Sequence, residues 1–142
     1  MGYKRMRKRE EGYYTGRHSC FLLQYHLVLV TKFRRKVLTG EVEAFLKEYT
    51  KTYFEERTAP VMELEVMPDH VHILFETVPG INLGEFVGAF KAASSRHIRQ
   101  RFRQQVEESY WKPLFWSDSY FLATVSERNT EIVKRYIKNQ KE

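Results

Sequence analysis

The chain has 142 residues, 42% of them hydrophobic, which is enough for one compact core and too few for two comfortable ones. Its 24 Lys and Arg against 18 Asp and Glu give a formal charge of +6 and a pI near 9.4; this suits a polyanionic partner, nucleic acid first, although a solvated basic surface has the same composition. Cys20 is the only cysteine, which excludes an intramolecular disulfide and a zinc ribbon and fits a reducing, cytoplasmic setting, and the most apolar run, "CFLLQYHLVLV", is too short and too polar for a membrane helix.

Residues 1–19 read as a basic arm carrying Lys4, Arg5, Arg7, Lys8 and Arg9, without the apolar core of a secretory signal. Residues 20–142 read as a single domain. Its first strand runs from Leu22 to Val30 and leaves through a basic exit, Arg34, Arg35 and Lys36. A helix follows, with Val42, Phe45, Leu46, Tyr49, Tyr53 and Phe54 at steps of three and four, Thr39 as its cap and Pro60 beyond its end. "VMELEV" and "HVHILFET" alternate in polarity on either side of "MPD" and predict a hairpin. A second helix is predicted from Leu83 to Gln105, with Phe86, Phe90, Ala93, His97 and Ile98 on its apolar side and Lys91, Arg96, Arg99 and Arg103 among its cations. Tyr120 to Val125 form a fourth strand, and "ERNTEIVKRYIKNQKE" a last helix. The order β, α, β, β, α, β, α implies an α+β fold: a ferredoxin-like antiparallel sheet with two helices on one face and an extra C-terminal helix.

The hairpin's second strand places two histidines in an otherwise apolar run. Side chains alternate along a strand, so His70 and His72 project together while Val71, Ile73 and Phe75 point the other way, toward the helices. The two imidazoles then stand on the uncovered face, roughly 6 to 7 Å apart along the strand, close enough to converge on one metal ion. A His-x-His pair on a strand is also common without a metal, and two ligands make a weak site; further donors have to come from elsewhere. On the last helix, Tyr136 and Gln140 lie four residues apart and share a face. Tyrosine is a competent covalent nucleophile and a glutamine oxygen a competent hard ligand. The plain alternative is that Tyr136 belongs to an apolar stripe with Ile132, Val133 and Ile137.

Taken together, "YHLVLVTKFRRKVL", "EVMPDHVHILFE", "WSDSYFLATV" and "VKRYIKNQ" closely resemble the HUH transposases of single-strand insertion sequences, which have one catalytic tyrosine. The resemblance covers about Cys20 to Gln140. It implies that His70, His72 and Gln140 bind magnesium or manganese and that Tyr136 attacks a single-stranded DNA phosphodiester to form a 5′-phosphotyrosine. It also implies element ends bearing subterminal hairpins, and homodimers in which the tyrosine helix of one subunit can complete the histidine pair of the other. Many relatives carry glycine near the junction before that helix, where this chain has Ser126. A phenol with a pKa near 10 is only about one part in a thousand ionised at pH 7, so such a nucleophile needs activation.

The expected DNA contacts are Arg34, Arg35 and Lys36, then Arg96, Arg99 and Arg103, with Lys134 and Lys138 beside the tyrosine. Phe33 and Trp116 are aromatics able to stack on unpaired bases, core packing being the stronger reading for Trp116. Two rival readings remain at this point: a domesticated transposase associated with palindromic repeats, and a noncatalytic nucleic-acid-binding domain, a class that usually sets exposed aromatics on its open sheet face.

Overall fold

The computed structural model describes residues 7–8, 12–16, 18–126 and 134–139. In chain order its elements are β1 (Arg7–Lys8), β2 (Tyr14–Thr15), β3 (Cys20–Phe21), β4 (Leu23–Val30), α1 (Gly40–Glu56), β5 (Val61–Met67), β6 (His70–Thr77), α2 (Leu83–Arg101), α3 (Arg103–Glu107) and β7 (Phe121–Thr124), and residues 134–139 form a last helix, α4. The main sheet is antiparallel, in the order β5-β6-β4-β7, as the ferredoxin-like expectation requires.

Alternation decides the two faces of this sheet. Leu27 and Leu29 on β4 and Val71, Ile73 and Phe75 on β6 are fully buried, and they pack under α1 and α2. Phe54 of α1 is the centre of that layer. Its ring meets Phe86 at 4.9 Å, Phe90 at 5.1 Å and Phe75 at 5.2 Å between centroids, each edge to face.

Local chemistry sets the helix ends. Glu41 and Glu43 lie in the first turn of α1, where carboxylates complement the helix dipole. Asn82 caps α2, its Oδ1 accepting from the Glu85 amide at 3.0 Å. The predicted second helix is broken at Phe102, whose ψ of 46° leaves the helical region. Its ring packs edge-on against Phe45 at 5.7 Å, and the chain restarts as α3, a break that the apolar spacing alone does not show.

Part of the expected arm belongs to the folded body. β2 pairs with β1 and with β3 in a small separate sheet. Tyr14 of β2 donates its hydroxyl to Glu76 at 2.8 Å, and Gln24 donates to the other carboxylate oxygen at 2.7 Å. Glu76 is fully buried, and these two hydrogen bonds make its place on a central strand tenable.

Candidate functional site

β6 runs through the middle of the sheet, and its pairing register determines what surrounds the two histidines. His70 lies opposite Val30 and His72 opposite Val28 on β4; on the other side they face Met67 and Glu65 of β5. All of these side chains belong to the face turned away from α1 and α2. His70 is 9% exposed, and His72 opens onto a cleft of about 290 Å³ shared with Glu63, Leu64, Glu65 and Leu74.

Each histidine is held from outside by a different partner. The His72 Nε2 lies 2.8 Å from the Nδ1 of His26, a β4 residue one step further along the same face. Burial lowers the pKa of His72, as does the neighbouring His26, against the opposing pull of Glu65 and Glu63; burial also lowers that of His26, against Glu63. Both rings are therefore neutral at pH 7, and between two neutral rings one N–H donates. The arrangement that leaves a lone pair on His72 has its Nε2–H donating to His26 Nδ1 and its own Nδ1 free.

The Nδ1 of His70 lies 2.9 Å from Asp69 Oδ1. This fixes the ring and leaves Nε2 as its open nitrogen, the arrangement usual for metal-binding histidines. Asp69 occupies the two-residue turn between β5 and β6, and the loop after β4 holds that turn: Thr31 donates its amide to the Asp69 carbonyl at 3.0 Å, and Leu38 to that of Pro68 at 2.9 Å. Arg34 grips the other carboxylate oxygen with Nε and Nη2, both at 3.0 Å. Burial pushes the Asp69 carboxyl up, but the His70 hydrogen bond and the Arg34 guanidinium outweigh it and hold the group below the ordinary range.

The third component comes from the far end of the chain. Tyr136 and Ile137 of α4 pack on Val28 and Val30, the residues directly across from His72 and His70. Phe121 of β7 completes this small cluster, its ring 4.9 Å from that of Tyr136. One sheet face thus carries the histidine pair and the tyrosine of the same chain. The Tyr136 hydroxyl is buried and has no hydrogen-bond partner among the described residues.

A family model described as transposase, IS200-like, matches residues 19–140. The chain belongs to this family. It is 37% identical over 125 residues to the ISDra2 transposase TnpA of Deinococcus radiodurans, covering 88% of this chain and 89% of the other. It is 30% identical over 125 residues to the transposase of insertion sequence element IS200 from Salmonella typhimurium, covering 88% and 81%. The crystal structure of a Deinococcus radiodurans protein assigned as a transposase superposes with a TM-score of 0.81 at 36% identity, covering 89% of this chain and 96% of that one. Family membership implies that this IS200-like transposase cleaves and transfers DNA.

The transposase's residues fit a divalent ion at the pair: two imidazoles share a face, and the one nitrogen taken up on each leaves the other open. Among the described residues no three His, Cys, Asp or Glu side chains gather into a metal cluster. Gln140, the expected third ligand, lies outside the described residues.

The expected DNA contacts divide. Arg35, Lys36, Arg96, Arg103, Lys134 and Lys138 are exposed, while Arg99 is half-buried, with Nε bonded to Ser95 Oγ at 3.1 Å. Lys36 and Arg103 share one cleft of about 600 Å³ with Arg101. Arg34 instead points inward, its side chain 24% exposed and committed to Asp69. Phe33 is half exposed, whereas Trp116 is buried, donating its indole N–H to Ser94 Oγ at 2.9 Å.

Sequence reasoning passed over His26, Asp69 and Trp111. Trp111 is 82% exposed, with Lys112 Nζ 4.5 Å from its ring centre, on a cleft that also holds Arg99 and Arg103. An exposed tryptophan beside a lysine gives no signal in sequence until its exposure is known. The signal for His26 was present, because it lies an even number of residues from Val28 and Val30 and so shares their face.

Proposed function

We propose that this transposase cuts and rejoins single-stranded DNA at insertion-sequence ends bearing subterminal hairpins, through a 5′-phosphotyrosine on Tyr136. The observation that carries the reading is the shared face: Tyr136 packs on the two valines that lie opposite His70 and His72. A buried hydroxyl without a partner costs roughly 1–3 kcal/mol, and a phosphate oxygen or a base arriving with substrate would relieve that cost. In the step itself the Tyr136 oxygen bonds to phosphorus and the bond to the 3′ oxygen breaks. The phenol proton ends on the departing 3′-hydroxyl, so the balance needs neither ATP nor a hydrolytic water. Strand joining is the reverse reaction.

A magnesium or manganese ion held by His70 and His72, with Gln140 as the third ligand, would neutralise charge on the phosphate oxygens. His26 and Asp69 hold the two rings so that each keeps a nitrogen free. The exposed cations Arg35, Lys36, Arg96, Arg103, Lys134 and Lys138, with Arg99, supply contacts to the DNA backbone, and we read the working form as a homodimer.

The test incubates the protein with labelled single strands from the regions flanking its gene, with magnesium or manganese, and looks for a covalent adduct under denaturing electrophoresis. The expected result is an adduct that needs metal and single-stranded DNA and is lost in Tyr136→Phe and His70→Ala. Hairpin binding with no adduct in any condition would refute the cleavage reading.

A further inference from the structure

We infer that Arg34 is a positioning residue for the reaction, a joint that ties the orientation of His70 to the docking of the tyrosine helix. This rests on the proposed roles of His70 and Tyr136. Among the described residues its guanidinium sets three nitrogens on Asp69 and Ile137. Nε and Nη2 hold Asp69 Oδ2, both at 3.0 Å, while the other oxygen of that carboxylate holds His70 Nδ1 at 2.9 Å. Nη1 donates to the backbone carbonyl of Ile137 at 2.9 Å, one residue after the tyrosine. A single planar side chain therefore fixes the spacing between the histidine and the nucleophile's helix.

The chemistry favours arginine here. Only a planar fork with several N–H donors can grip a carboxylate along one edge and a carbonyl with its remaining arm; lysine, with one nitrogen, would have to choose. The backbone is shaped for the purpose. Phe33 and Arg34 have φ of +58° and +52°, in the left-handed region that non-glycine residues seldom enter. The surrounding bonds hold this turn: Thr31 Oγ1 donates to the Arg35 carbonyl at 2.7 Å, Lys32 donates its amide to the Phe115 carbonyl at 2.8 Å, and Tyr110 donates its hydroxyl to the Lys32 carbonyl at 2.7 Å. The same basic exit that reads in sequence as three DNA contacts thus supplies two exposed cations and one internal brace.

The test compares wild type, Arg34→Lys, Arg34→Gln and Asp69→Asn in the full chain by three readouts: Mn²⁺ affinity from spin-resonance titration, hydrogen exchange of the amides in 134–139, and the salt dependence of single-strand binding. The joint predicts that both Arg34 variants weaken Mn²⁺ binding at least tenfold, the range for outer partners of metal-binding histidines, and speed exchange in 134–139. It predicts an unchanged salt slope. Asp69→Asn should weaken Mn²⁺ binding in the same way, and adding Arg34→Gln to it should cost little more. Wild-type exchange in 134–139 for Arg34→Gln, or a salt slope reduced by nearly one unit, would overturn the joint and make Arg34 a phosphate contact. Were His70→Ala to bind Mn²⁺ as wild type does, the metal reading would fall instead, and the exchange measurement would still decide whether Arg34 holds the helix.

Discussion

His26 sits between Tyr25 and Leu27 in a run of buried strand residues, and the pairing of β4 with β6 makes it the hydrogen-bond partner of His72. That contact makes a direct prediction. His26→Phe keeps an aromatic ring and removes the nitrogen, so Mn²⁺ affinity should fall about tenfold or more while the fold persists, as read by titration beside a melting curve. Tyr110 supplies a second test. Burial pushes its phenol up to about 12, and its hydroxyl must stay protonated to donate to the Lys32 carbonyl. The folded state holds that proton more tightly than the unfolded chain, so this stabilisation is complete below pH 10 and is lost as the pH rises toward 12. It amounts to about 2–3 kcal/mol. Tyr110→Phe should flatten the difference in urea midpoint between pH 9 and pH 11 relative to wild type. At this scale the sequence was partly legible. His70 and His72 stand out because strand alternation is local, whereas the parts played by His26, Asp69 and Arg34 depend on pairings 35 to 103 residues apart along the chain, which a single sequence does not encode visibly.

The elements behave according to what they bury. Phe54 of α1 meets three other phenylalanines edge to face and is fully buried. Phe54→Ala should therefore cost about 3–5 kcal/mol in denaturant unfolding, enough to threaten a domain of ordinary stability. Helices and strands of the main sheet were legible because their periods are strong; the hairpin turn at Pro68 and Asp69 fell where proline and aspartate placed it. The break at Phe102 was not legible, since a residue that packs sideways on Phe45 satisfies the same apolar spacing as one that continues a helix. The small sheet of β1, β2 and β3 was hidden for another reason. Two-residue strands carry no period, and among the described residues the sheet is tied down by Tyr14 reaching a carboxylate 62 residues away.

For the molecule as a whole, the main question is which chain supplies the nucleophile. Here α4 lies on its own chain's Val28 and Val30, so the proposed nucleophile and the histidine pair are brought together within one subunit. Mixing Tyr136→Phe with His70→Ala protein should then yield no covalent adduct, because neither chain has both groups. Recovery of adduct on mixing would mean that the helix crosses to a partner before cleavage. The two halves of the site also differ in how long they last. The histidines are built into β6, bonded on both sides by β5 and β4, and cannot separate from the protein without the sheet coming apart. Among the described residues the tyrosine's helix rests on two valines, a phenylalanine and one arginine, contacts that can open while the sheet stays intact. On the proposed reading, a DNA end joined to Tyr136 would move with that helix, while the histidine pair stays in place.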